Sequence, residues 1–185
     1  ESKFVFNSTN FKEGHVISIK GQMDNRIDGD QDYFVRLRFG SDDSQYKDLQ
    51  YKWIEGKNID TDEAGLKFDY EGLKVSENGD SVNIGVTLAS IPAGDVNVAV
   101  ASSNKREVMV EPATLTFTPE TWNVPQTVTA TGMDDVVIDG DQTVPVNFKL
   151  ASEDSHFNAL EAKLDIVNAD NDVAAIVVAS TGAEI

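Results

Sequence analysis

The chain has 185 residues, 32 of them acidic against 15 basic, for a net charge of −17, and it contains no cysteine. The missing thiols exclude disulfides, thiolate catalysis and cysteine metal sites. The charge repels phosphate backbones, which argues against nucleic acid as a partner. No apolar run reaches the roughly eighteen residues that suggest a membrane-spanning helix, so no membrane insertion is expected.

In chain order, residues 1–68 carry 10 basic and 13 acidic groups, whereas residues 69–185 carry 5 and 19. Residues 41–53 show no clean period, and a short helical turn is expected there. Strict alternation then appears at 81–88, 95–100 and 114–117, and again at 127–130, 144–150 and around 164–166. Period-2 patterning rich in β-branched residues reads as strands with one apolar face. Asn78-Gly79-Asp80, Pro92-Ala93-Gly94 and Asp139-Gly140-Asp141 supply the turns between them. Pro125 and Pro145 have no amide to donate, so each is expected at a strand start, an edge or a bulge. About seven short strands in about a hundred residues predict an all-β, antiparallel, Ig-like β-sandwich.

The pentapeptide Ile-Asp-Gly-Asp-Gln occurs at 27–31 and again at 138–142. Sliding the sequence against itself by 111 positions puts Phe6 on Phe117, Phe11 on Trp122, Gly21 on Gly132 and Val35 on Val146. After a one-residue shift, residues 58–64 fall on 168–174. The chain therefore reads as tandem repeats. Residues 1–68 hold the latter part of one unit, 69–173 a complete unit, and 174–185 a linker or the first strand of the next, as in an excerpt from a longer array.

In the complete unit the acids gather in three places: Glu77, the loop carrying Asp134, Asp135, Asp139 and Asp141, and the terminal pair Asp170 and Asp172. A seven-stranded sandwich brings all three to one pole. Clustered carboxylates resist ionisation together unless a cation joins them. A flexible set of oxygen ligands suits Ca²⁺ better than Mg²⁺. The spacing is not that of an EF-hand. Gly132 and Gly140 are read as supplying tight turns in this loop.

The stretch Leu115-Thr116-Phe117-Thr118-Pro119, the Asp134-Asp135 pair, Gly140-Asp141 and the closing Asp170-Asn171-Asp172 resemble the Calx-β domain family. The resemblance spans about Leu73 to Asp172 and recurs for the latter half in 1–62. It implies Ca²⁺ held by Glu77, Asp134, Asp135, Asp139, Asp170 and Asp172, and in the partial unit by Asp24, Asp28, Asp60 and Asp62. The match departs at Asn171 and Thr61, which interrupt the acidic run, at Met23 opposite Asp134, and at Gln31 and Gln142, where the family often has Glu. Residues 102–112 show no aspartate ligand. Fewer or weaker sites than in a sensor domain are therefore expected.

The resemblance implies a secreted or cell-surface protein whose repeats are stiffened by Ca²⁺ for adhesion or matrix roles. Its partners would be neighbouring repeats of the same or another chain, and a surface glycan or protein. Two alternatives stand beside it: a glycan- or protein-binding module, with Trp122, Trp53, Tyr51 and Tyr70 as candidate stacking residues, and a subunit that self-assembles by strand addition through 174–185. The repeat sets Trp122 on Phe11, which favours packing for that residue. His15 and His156 read as surface residues. No nucleophile, metalloprotease or phosphate-loop motif appears, so the chain is not expected to be an enzyme.

Overall fold

The computed structural model describes residues 3–176. Its regular elements are all strands: β1 (Gln31–Leu37), β2 (Lys52–Asn58), β3 (Leu66–Asp69), β4 (Lys74–Ser76), β5 (Ser81–Leu88), β6 (Val96–Ser102), β7 (Val108–Glu111), β8 (Thr114–Phe117), β9 (Gln126–Gly132), β10 (Gln142–Ser152) and β11 (Glu161–Ala169). The chain divides into two units, one of residues 1–24 with 28–60 and one of residues 25–27 with Thr61 onward. Most of the segment 174–185 lies outside the described residues.

The second unit is an antiparallel β-sandwich. A five-stranded sheet has the order β4-β11-β10-β6-β8, and a four-stranded sheet the order β3-β5-β9-β7. Alternation decides which side chains face inward: Val144, Val146, Phe148 and Leu150 on β10, and Ile84, Val86 and Leu88 on β5, are all buried. Phe68 of one sheet meets Phe148 of the other, with ring centroids 4.9 Å apart. Phe117, Phe148 and Phe157 are fully buried, each stabilising the fold by about 1.5–3 kcal/mol. Trp122 packs against this core.

Among the described residues the second unit has nine strands rather than the seven expected, because the first strand is split and β7 is added. β3 joins the four-stranded sheet and β4 the five-stranded one, where it runs parallel to β11. β3 also begins at Leu66 and pairs within the second unit, ahead of residue 69 where the sequence reading opens that unit. β7 was not separated in the sequence because Met109, on its outward face, is apolar, so Val108-Met109-Val110 shows no apolar–polar alternation. Pro125 directly precedes β9. Pro145 lies inside β10, and its carbonyl accepts from Ser103 just beyond the last β6 pair, Val146–Ser102. Its missing amide therefore faces the point where that ladder has ended.

In the first unit β1 and β2 form a two-stranded sheet. Its register reproduces that of β10 and β11: Gln31 faces Asn58 as Gln142 faces Asn168, and Val35 faces Ile54 as Val146 faces Leu164. The connections repeat as well. The Asp43 carbonyl accepts from Tyr46 and Lys47, and the Asp154 carbonyl from Phe157 and Asn158, so the helical turn expected in 41–53 is a short hydrogen-bonded turn present in both units. The amides of Asn7 and Thr118 donate to Asn10 Oδ1 and Thr121 Oγ1 in turn.

Candidate metal centre

The repeated Ile-Asp-Gly-Asp-Gln is a carboxylate clamp. Gly140 takes φ 75° and Gly29 φ 74°, a left-handed conformation that a Cβ disfavours. This turns the Gly140 amide onto Asp170 Oδ2 at 2.7 Å and the Gly29 amide onto Asp60 Oδ2 at 2.7 Å. The Gln142 and Gln31 side chains brace the turn by donating to the carbonyls of Asp139 and Gly140, and of Asp28 and Gly29. Asp141 Oδ1 accepts from the Asp170 amide, as Asp30 Oδ1 accepts from Asp60.

Gly132 works differently from the turn role expected of it. A Cβ there would meet the Ser76 carbonyl oxygen and, at 2.6 Å, Asn168 Oδ1. The glycine lets β9 touch the ends of β4 and β11, which carry Glu77 and Asp170 on their next residues. The Glu77 amide donates to the Ala169 carbonyl, and the Asn171 amide to Glu77 Oε2 at 3.1 Å. One carboxylate oxygen from each of Glu77, Asp170 and Asp172 consequently lies within 4.8 Å of the other two.

The electrostatics of this trio are strained. The Asn171 amide lowers the pKa of Glu77, but burial and the charges of Asp170, Asp135 and Asp172 outweigh it, and the net value is raised. Asp172 is raised by burial and by Asp170, Asp135, Asp134 and Asp139. Asp170 is lowered, because the Asp172 and Gly140 amides donate to it against the cost of burial. Among the described residues no lysine or arginine forms an ion pair with the trio, and Lys74 at this pole is taken by Asp141 at 3.1 Å.

Two observations test whether a cation fits. Asp172 Oδ2 is buried without a hydrogen-bond partner, an arrangement that costs free energy unless something else meets that oxygen. The 4.8 Å spread of the trio lies inside the width of a Ca²⁺ oxygen shell, about 4.6–5.2 Å for ligands at the usual distances. The three oxygens therefore have the spacing of part of such a shell, which takes six to eight oxygens.

Of the remaining sequence candidates, Asp135, Asp134 and Asp139 stand near enough to act on Asp172 by charge, outside the close trio. Asp135 Oδ1 is engaged by the Val137 amide at 2.7 Å. In the earlier repeat, Asp60 accepts from the amides of Asp28 and Gly29. Asp24 belongs to the first unit and Asp62 to the second, so these four aspartates are divided between the units.

The sequence reading missed Glu107 and Asn168, which are 6% and 1% exposed. Asn168 Nδ2 donates to Glu107 Oε2 and to the Met133 carbonyl, both at 3.2 Å, tying the base of the 133–139 loop to β11. Asn58 repeats the second contact on the Gln22 carbonyl. The available signal was an asparagine at the same inward position of both repeats. His156, read as a surface residue, is exposed, with Nδ1 3.1 Å from Asp154 Oδ1.

No protein-family model matches the sequence, and no curated protein matches it. Solved structures match at the level of fold. One is the periplasmic chaperone SfaE, with 11% identity and TM-score 0.46 over 60% of this chain and 60% of that one. Another is WR4, a C. elegans MSP family member, with 10% identity and TM-score 0.39 over 56% of this chain and 96% of that one. A third, domains 4 and 5 of the S-layer protein SbsC, has 13% identity and TM-score 0.36 over 76% and 57%.

Proposed function

We propose that this chain is a calcium-binding structural segment of a secreted or cell-surface protein, built of Calx-β-like repeats, in which Ca²⁺ fixes the direction taken by the chain as it leaves a repeat. The observation that carries this reading is the uncompensated trio Glu77, Asp170 and Asp172, with one oxygen of Asp172 buried and unpartnered. Asp170 and Asp172 immediately follow β11, so an ion bridging them to Glu77 ties the exit of the unit to its first strand. Asp134, Asp135 and Asp139 then complete the shell or lower its potential. Extracellular calcium modules commonly have Kd around 10⁻⁴–10⁻³ M, and an affinity in that range suits constant occupancy outside cells and a rod stiffened for adhesion or matrix assembly. Melting the full chain with Ca²⁺ and with chelator tests it: a higher Tm with the ion supports the reading, and identical curves defeat it.

A second reading, self-assembly by strand addition, is favoured by one feature. In the second unit β10 and β11 are flanked by β6 and β4, whereas among the described residues their counterparts β1 and β2 pair only with each other. Open edges of this kind accept strands from other chains. Concentration-dependent scattering that disappears on deleting 174–185 supports it.

A further inference from the structure

The repeat supplies its own control for the outward face of the β1–β2 sheet. On β10 and β11 that face is polar: Asn147 opposes Lys163, and Lys149 pairs with Glu161 at 2.9 Å. On β1 and β2 the same positions hold Arg36 opposite Trp53, followed by Tyr51 where the later repeat has Glu161. The Arg36 guanidinium stands over both rings, 5.2 Å from the centroid of Tyr51 and 5.7 Å from that of Trp53. Trp53, Tyr51 and Phe34 are 56%, 55% and 61% exposed, so apolar ring surface remains open to solvent. In a chain of net charge −17, neither Arg36 nor Arg38 has a carboxylate within ion-pair distance among the described residues.

We propose that this face binds an anionic sugar, a glycan carrying carboxylate or sulfate groups. Arg36, stacked on two rings, is a preorganised fork, and a guanidinium pairs with planar or tetrahedral oxyanions through two parallel hydrogen bonds. The exposed indole and phenol surfaces offer stacking to the C–H faces of a pyranose. Asp32, Glu55 and Lys57, which line the adjoining groove with Phe34, meet hydroxyl groups. Binding does not require calcium, because no residue of the trio takes part.

The test is calorimetric titration of the full chain with a sulfated and a carboxylated oligosaccharide, each beside its neutral parent, with Ca²⁺ and with chelator. The informative variants are Arg36→Asn and Trp53→Lys, because the β10–β11 hairpin folds with those residue types at the matching positions; circular dichroism checks that each remains folded. Binding of at least one anionic form that weakens with salt, survives chelation and is lost in both folded variants supports the proposal and names the acid group. Arg36→Lys should weaken binding about tenfold, since the charge stays and the fork goes. No binding to either anionic form, or equal binding of the neutral parents, overturns it. Self-association that disappears in Arg36→Asn without glycan binding also overturns it and makes the face a contact between copies.

Discussion

Replacing Gly132 by alanine places one methyl group between three strands. The added Cβ meets the Ser76 carbonyl oxygen, which is backbone, and Asn168 Oδ1 at 2.6 Å. Asn168 is held on its other side by Glu107 and Met133, so it has little room to rotate away. Insertions into packing of this kind cost about 1–3 kcal/mol. A cost of 1 kcal/mol lowers Tm by about 4–8 °C in a domain of 60–100 residues and less in a larger one. The displaced groups are the residues immediately before Glu77 and two before Asp170, so the trio spreads and the calcium increment in stability shrinks with it. Urea unfolding of the full chain, with Ca²⁺ and with chelator, reads both effects. Gly94→Ala is the control, since a Cβ there meets nothing within 4 Å. A Gly132→Ala variant within about 0.5 kcal/mol of the parent, the range of ordinary surface changes, would refute the close-approach argument.

Three further outcomes follow from the same geometry. Glu77→Gln removes a charge from a repelling trio, so in chelator at neutral pH it should unfold at higher urea than the parent, while its response to Ca²⁺ disappears. Glu77 and Asp172 have raised pKa values, so between the ordinary values, 4.5 and 3.8, and the raised ones the folded state holds more protons than the unfolded state. Their contribution to stability without calcium therefore falls as pH rises through that window, and Ca²⁺ binding there should release protons, seen as a buffer-dependent heat. Asp154 accepts from the amides of Ala93 and His156, and these contacts hold its pKa below 3.8 against the cost of burial. Its contribution is present above that value and is lost as pH falls through the lowered one, and Asp154→Ala should cost about 1–3 kcal/mol in urea unfolding at neutral pH.

The sandwich was legible because side chains on a strand alternate with period 2, and residues such as Val144, Val146 and Phe148 obey it without interruption. The duplication was legible because Ile-Asp-Gly-Asp-Gln recurs in a turn whose glycine conformation constrains its neighbours. β7 was not legible: its outward residue Met109 is apolar, so Val-Met-Val lacks the alternation that revealed the equally short β8. The splitting of the first strand was hidden because parity does not reveal when a chain changes sheets. At the metal centre, the acids stood out by residue type. Which of them lie closest depended on the parallel β4–β11 contact, a long-range pairing with no local signature. Gly132 was read as a turn residue because sequence alone cannot separate a glycine needed for φ from one needed for space.

The most direct measurement of the central claim is a calorimetric titration of the full chain with Ca²⁺, repeated on Asp172→Asn, which keeps the size of the side chain and removes its charge. The account predicts saturable binding to the parent, and sharply weakened binding to the variant. It also predicts a stability gain in the parent of about 2.7 kcal/mol at a hundredfold excess over Kd. Absence of binding heat in the parent, with melting unchanged by calcium, would contradict it.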